Sequence, residues 1–410
     1  MCKFGSVLIV LLLLILIIIA ITCSCTSERA EPTPSPSPTL IPSPLEPPEI
    51  EWAKTFGGSE MDYPSSVQQT ADGGYIVAGE TYSYGAGGKD CWLVKTNDNG
   101  EEQWSRTFGG PGDDWANSLR QTADNGYIIA GCTYSYDVAV SAVLLIKTDE
   151  NGNDVWFKTI DGPKGEGAYS VQQTADYGYI IAGTTYSYGA GHEDFWLVKT
   201  DAEGEVEWSK TLGSQDHETA RSVWQTSDGG YIIVGGTSQN VFYDNSDVLI
   251  VKTDEAGNET WSKTLGGDDD DAVFSVQQTS DGGYITAGST KSHGAGYPDI
   301  WLIKLDSNGE EVWERTFGGL GGARAYSMQQ TTDMGYIIAG TTQSFGAGSF
   351  DCWLVKTDAE GEMQWNKTFG GPEWEAAYCV QETSDGGYIV VGSTDSYGAG
   401  SFDFWLVKLK

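Results

Sequence analysis

The strongest constraint in this chain is a unit that it repeats seven times. The third copy runs Ser170-Val171-Gln172-Gln173-Thr174, then Gly178-Tyr179-Ile180-Ile181-Ala182-Gly183-Thr184. A Ser187-Tyr188-Gly189-Ala190-Gly191 loop follows, then Asp194-Phe195-Trp196-Leu197-Val198-Lys199, and the copy closes on Trp208-Ser209-Lys210-Thr211. The Gly-Tyr anchor recurs at Tyr75, Tyr127, Tyr179, Tyr231, Tyr284, Tyr336 and Tyr388, in steps of 52 residues with a single step of 53. A unit of this size, made of short β-type runs and glycine turns, cannot bury its apolar faces alone and must stack on its neighbours. The period predicts an all-β fold, a β-propeller with one blade per repeat.

Each unit reads as four strands. The middle two are nearly continuous apolar runs, as expected for a sheet covered on both faces. The phase of the repeat predicts how the ring closes. The Trp-x-Lys/Arg-Thr strand occurs at Trp52, Trp104, Trp156, Trp208, Trp261, Trp313 and Trp365, one copy ahead of the first complete unit. The chain stops at Lys410, just after the seventh third-strand, so the last blade lacks an outer strand and residues 51–56 supply a spare. Pairing the two completes seven four-stranded blades and removes an exposed edge. The connections between strands two and three, and between successive blades, then gather on one side of the ring. That loop face is the default binding face.

The domain reading is a leader at 1–25, a Pro/Ser/Thr-rich stalk at 26–49 and the propeller at 50–410. The leader has one basic residue, Lys3, before an apolar run from Val7 to Ile21. That length suits a signal peptide, with an uncleaved anchor as the alternative. The stalk holds eight of the 13 prolines and is predicted to stay extended without a packed core.

With 58 acidic against 23 basic residues the formal net charge is -35. Such a field repels nucleic acid and anionic head groups and keeps a monomer soluble. Cys91, Cys132, Cys352 and Cys379 lie in the repeats without any metal-type spacing, so buried free thiols are expected instead of a disulfide framework.

Several resemblances attach to these motifs. Thr22-Cys23-Ser24-Cys25 resembles the lipobox of prokaryotic lipoproteins, which implies lipidation of Cys25. The Ile-Ile-Ala-Gly run with a Trp at the end of the unit resembles kelch repeats. The Asp201-Ala202-Glu203-Gly204…Trp208 hairpin is similar to the tryptophan-docking motif of quinoproteins, and more distantly to sialidase Asp boxes. Residues 50–410 resemble the Gln-Gln-Thr-x-Asp-Gly-Gly-Tyr-Ile propeller-repeat surface proteins of archaea and bacteria. That resemblance implies an extracytoplasmic, cell-surface location. Quinoproteins hold their cofactor with adjacent cysteines, a pair this chain lacks, so no organic cofactor is expected.

Residues repeated in six or seven units are read as scaffold. Asp90, Asp194, Asp247, Asp299, Asp351 and Asp403 suit turn acceptors, and the Lys95–Lys408 series suits cross-strand charge partners. Function is sought where the repeat breaks. Units two and four replace the Gly-Ala-Gly loop by Tyr136-Asp137-Val138-Ala139-Val140 and Asn240-Val241-Phe242-Tyr243-Asp244, and replace the third-strand Trp by Leu144 and Leu249. Trp115 and Trp374 add aromatics on the same face, and Tyr169, Phe274, Tyr326 and Tyr378 are placed at the mouth of the innermost strands. The candidate ligand-binding set is therefore Trp115, Tyr136, Asp137, Phe242, Tyr243, Asp244 and Trp374, an aromatic and acidic rim suited to sugar rings or a partner protein. Asp268-Asp269-Asp270-Asp271 offers oxygen ligands for a structural calcium ion, or forms a solvated acidic turn. The three histidines, His192, His217 and His293, are expected at separate places around the ring. Asn258 and Asn366 match glycosylation acceptors. No nucleophile–base–acid order is present, and the loop face offers many carboxylates without singling out a pair. The reading is a membrane-tethered binding or structural module for a cell-surface protein or glycan. The alternatives are a glycoside hydrolase using loop-face carboxylates and a passive envelope component.

Overall fold

The computed structural model describes residues 45–239, 245–294 and 297–410. The leader with Cys25, the stalk through residue 44, and Phe242, Tyr243 and Asp244 lie outside the described residues.

Seven antiparallel four-stranded sheets form the propeller. With strands numbered in chain order, the first blade holds β2 (Asp62–Gln69), β3 (Tyr75–Thr81), β4 (Asp90–Thr96) and β5 (Glu102–Phe108), from the axis outward. The middle strands are buried almost end to end, which is why their sequence lacks polar alternation. The seventh blade has the composition expected from the repeat phase. There β1 (Ile50–Phe56) runs antiparallel to β28 (Asp403–Leu409), setting Ala53 opposite Val407 and Thr55 opposite Trp405.

The innermost strands are longer than the sequence suggested. In the third blade this strand spans Glu166–Gln173 and carries a bulge between Ala168 and Ser170. The same bulge interrupts the innermost pair of every blade. It inserts one unpaired residue and turns that side chain toward the axis. Tyr169, Phe274, Tyr326 and Tyr378 occupy this position, within the strand instead of ahead of it. Rings of three successive blades meet there, Phe274 to Tyr326 at 5.7 Å and Tyr326 to Tyr378 at 5.3 Å between centroids.

The seams between blades repeat one set of contacts. On the loop face the first residue of the inner strand (in the fourth blade the second, Glu218) donates its N–H to the preceding blade, as Asp114 does to Lys89 O at 2.7 Å. The closing seam is equivalent, with Asp62 N–H on Phe402 O at 2.6 Å. At the opposite, hairpin face the Gln-Gln pair works as two belts. The second Gln accepts from the preceding blade's turn, for example Gln173 Oε1 from Ala123 N at 2.8 Å, and Gln69 closes the ring by accepting from Ser384 N at 2.8 Å. The first accepts from the following blade: Gln68 from Gln121 N at 2.8 Å, Gln172 from Gln225 N at 3.0 Å, and Gln381 from Gln69 N at 2.6 Å.

Toward the rim six of the seven outer-strand Trp residues dock on a hairpin glycine of the next blade, whereas Trp365 meets the seventh blade, whose outer two strands are not joined by a hairpin, and packs on Tyr388. A Cβ on Gly204 would come within 2.7 Å of the Trp156 ring, and one on Gly100 within 2.5 Å of Trp52. Trp52 thus behaves as a member of the series although it comes from the opposite end of the chain. The closing seam also has its own apolar cluster, with Tyr75, Val77 and Trp92 of the first blade against Ile389, Phe404 and Leu406 of the seventh. The repeated lysines pin the inner hairpins, as Lys199 does to Asp176 at 2.9 Å. Burial raises the Asp176 pKa, but bonds from Thr174 and Lys199 outweigh it and hold the carboxyl at about 2. Cys91, Cys132 and Cys352 are buried free thiols and Cys379 is half-buried.

Candidate functional site

The repeated aspartates do more than terminate turns. Asp90 accepts from Ala86 N and Gly87 N at 2.9 and 3.3 Å, which fixes the long loop as expected. Its other side faces the next blade, where Asp114 begins the inner strand. Asp114 accepts from Gly110 N at 2.8 Å and from Ser135 Oγ at 2.7 Å. Both carboxylates crowd the Cα of Gly109, where a Cβ would lie 2.0 Å from Asp90 Oδ1 and 2.8 Å from Asp114 Oδ2. The Asp403/Asp62, Asp247/Asp271 and Asp351/Glu375 pairs crowd Gly57, Gly266 and Gly370 in the same way. Burial, and then the facing carboxylate, push the pKa of Asp90, Asp247 and Asp403 up. Oδ1 of Asp62, Asp114, Asp351 and Asp403 is buried without a hydrogen-bond partner. These pairs sit beneath the loops, with their remaining oxygens committed to backbone N–H groups.

Above them, half-buried aromatic rings form an arc around the mouth of the axis. Phe350 packs on Trp374 at 5.7 Å, Trp374 edge-on against Phe402 at 5.3 Å, and Phe402 against Tyr63 at 5.3 Å. At the next seam Lys89 of the first blade places its ammonium 4.0 Å over the Trp115 ring of the second, and Trp115 stacks on Tyr134 at 6.0 Å. Trp115 and Trp374 thus stand on one arc that crosses the closing seam. A cavity of about 370 Å³ continues it, lined by Trp115, Tyr134, Tyr169, Tyr186 and Arg221. Arg221 lies 4.5 Å over the Tyr169 ring.

The other sequence-selected residues go elsewhere. Tyr136 and Asp137 both adopt positive φ, 58° and 61°. Tyr136 packs on Phe157 of the outer strand at 4.9 Å, away from Trp115, and Asp137 is exposed. Leu249, in place of the third-strand Trp, borders a cavity of about 920 Å³ whose wall includes Asp216, Glu218, Asp247 and Asp268. The run Asp268–Asp271 does not converge. Asp268 and Asp269 are exposed, Asp270 pairs with Lys291, and Asp271 is buried at the seam. Among the described residues no three His, Cys, Asp or Glu side chains come together as a metal-ligand group. His192 and His217 are neighbours, contrary to the expected separation: their rings stack at 4.6 Å, 2° from parallel, while His293 stacks on Trp301 at 4.8 Å. The cause is the seam itself, which sets the end of one blade's loop against the start of the next inner strand, as in the Glu193–His217 bridge. Asn258 and Asn366 are exposed on the outer strand or its hairpin, Asn258 donating to Asp254 at 3.0 Å and Asn366 Oδ1 accepting from Trp353 Nε1 at 3.2 Å.

Sequence reasoning passed over Arg120 and Trp224. They stand where five other blades carry the first glutamine of the Gln-Gln pair, and they line an axial cavity of about 710 Å³ on the hairpin face. Aligning the inner strands by repeat position exposes both.

No family model matches the chain. The Regulatory protein FlaEY of Caulobacter vibrioides is 24% identical over 314 residues, which cover 70% of this chain and 31% of that protein. The chain therefore spans about a third of that relative's length. Among solved structures, a puromycin hydrolase aligns with a TM-score of 0.50 at 14% identity, over 81% of this chain and 50% of its own. A mutant of a puromycin hydrolase complexed with PGG gives 0.53 at 13%, over 83% and 51%. At such identities the likeness is one of fold alone.

Proposed function

We propose that this protein is a membrane-tethered, extracytoplasmic binding module whose loop face docks a cell-surface protein or glycan. The observation that carries the reading is the arc of half-buried rings, Trp374, Phe402, Tyr63 and Trp115, around the axial mouth. Half-buried aromatics present a large apolar face at little cost in side-chain entropy, which suits stacking on sugar rings or gripping an extended chain. Arg221 beside the arc adds a cationic group that an acidic glycan or peptide would meet in an otherwise acidic protein, whereas the Lys89 ammonium is already paired with Glu80 at 2.8 Å. The apolar leader and proline-rich stalk support tethering outside the membrane, with Cys25 as the lipidation point. The description of the relative as a regulatory protein is compatible with recognition as the primary task.

The test is retention of the detergent-solubilised full-length protein on isolated cell envelopes and on a glycan array. The Trp115→Ala/Trp374→Ala variant is expected to lose retention about 10-fold or more, as removal of two aromatic anchors does at other interfaces. Asp137→Ala, directed away from the arc, is expected to match the wild type. Equal retention of wild type and the double Trp variant refutes the reading.

A further inference from the structure

The hairpin face holds a second site of different character. At five blades the first glutamine of the pair presents its amide oxygen to the N–H of the next inner strand. Arg120 and Trp224 cannot accept a hydrogen bond. By the register of the repeat, the N–H groups facing them belong to Gln173 and Gln278, and these lose the acceptor that their five counterparts have. Two substitutions thus convert a belt closed on itself into a patch of donors.

The guanidinium of Arg120 has no anionic partner. Its Nη1 donates to the neighbouring Leu119 O at 2.7 Å, and no carboxylate among the described residues forms an ion pair with it. Among the described residues Arg221 is likewise half-buried without a carboxylate, but its guanidinium lies 4.5 Å over the Tyr169 ring, whereas Arg120 has neither a carboxylate nor an aromatic face against it. Burial lowers its pKa, which is the cost of holding a cation there without a counter-charge. The same cavity of about 710 Å³ carries an apolar wall from Trp224, Met328 and Cys379. Its volume falls in the ordinary range for small-molecule sites, about 300–1,000 Å³.

We propose that this axial cavity binds a small organic acid, a single carboxylate on an aromatic or apolar body. The carboxylate takes a forked pair of bonds from Arg120 together with the free N–H of Gln173, and the body packs on Trp224 and Met328. This site is on the face opposite the aromatic arc and does not depend on what that arc binds.

The repeat supplies the controls. Glutamine at either position is what the other blades carry, so Arg120→Gln and Trp224→Gln restore the belt and are expected to unfold no earlier than the wild type. The probe is 1-naphthoate, with neutral 1-naphthamide and inorganic phosphate for comparison, titrated into the full-length protein in detergent and followed by calorimetry and saturation-transfer NMR. Naphthoate is expected to bind the wild type and to weaken about 10-fold or more in Arg120→Gln, the value of a charge-assisted bond. Arg120→Lys is expected to recover part of that loss, and Trp224→Gln to weaken naphthoate and naphthamide alike. Equal naphthoate binding by the wild type and Arg120→Gln overturns the proposal, as does no binding at all. Preferential binding of phosphate over naphthoate also overturns it.

Discussion

Replacing Gly109 by alanine should destabilise the protein by about 3 kcal/mol, and removing the Asp90 carboxylate should abolish most of that cost. The new Cβ would lie 2.0 Å from Asp90 Oδ1 and 2.8 Å from Asp114 Oδ2, so Asp90 must withdraw by about 1.5 Å to reach ordinary contact. That carboxylate is held by the N–H groups of Ala86 and Gly87. Bonds to a charged acceptor are worth about 1.5–3 kcal/mol each, and the longer one belongs at the low end, which gives about 3 kcal/mol for losing both. The chain contains its own version of the experiment. After the second blade, Ala142 replaces the aspartate and Asp161 replaces the glycine, so a side chain is accepted where the carboxylate is missing. Urea unfolding of Gly109→Ala, Asp90→Ala and the double variant should give a coupling of about 2 kcal/mol. Additivity within about 0.5 kcal/mol would show that the paired carboxylates do not impose the glycine.

Stability should peak in mildly acidic solution, at about pH 4–5. Asp90, Asp247 and Asp403 have raised folded pKa values, so their contribution is present below that range and is lost as pH rises through the folded pKa. The hairpin aspartates, Asp176 and Asp281 among them at about 2, act oppositely and lose theirs as pH falls below about 4. Thermal unfolding from pH 3 to 8 checks this, and a maximum above pH 7 would contradict it. Separately, Trp52→Ala and Trp156→Ala should each cost about 2–4 kcal/mol in chemical unfolding, because both rings dock on a glycine and a tyrosine of the next blade. A Trp52 variant as stable as the wild type would mean that the seventh seam is not equivalent to the rest.

The ring and its closure were legible because both follow from counting. The repeat phase leaves one outer strand over at the start and one missing at the end, and only one pairing balances them. The bulge at Ala168–Ser170 was not legible, since a residue left out of the ladder keeps its neighbours' apolar pattern. The His192–His217 stack and the Asp90–Asp114 pair were missed for a related reason. Each joins the end of one unit to the start of the next, and reading units singly hides such contacts. Arg120 and Trp224 were visible as departures from glutamine, but their meaning required knowing that the glutamine oxygen is an acceptor for the following blade. Tyr136 shows the converse. A repeat break marked it correctly as unusual, yet its ring packs on Phe157 at the outer strand.

Both candidate sites require a continuous ring, because the aromatic arc crosses the seam between the last blade and the first. Amide hydrogen exchange along β28 tests that seam most directly. In the closed ring, N–H groups on both edges of Asp403–Leu409 should be as protected as those of Asp194–Thr200 in the third blade, since each strand lies between two partners. Fast exchange at every second amide of Asp403–Leu409, the pattern of an unpaired edge, would contradict the account.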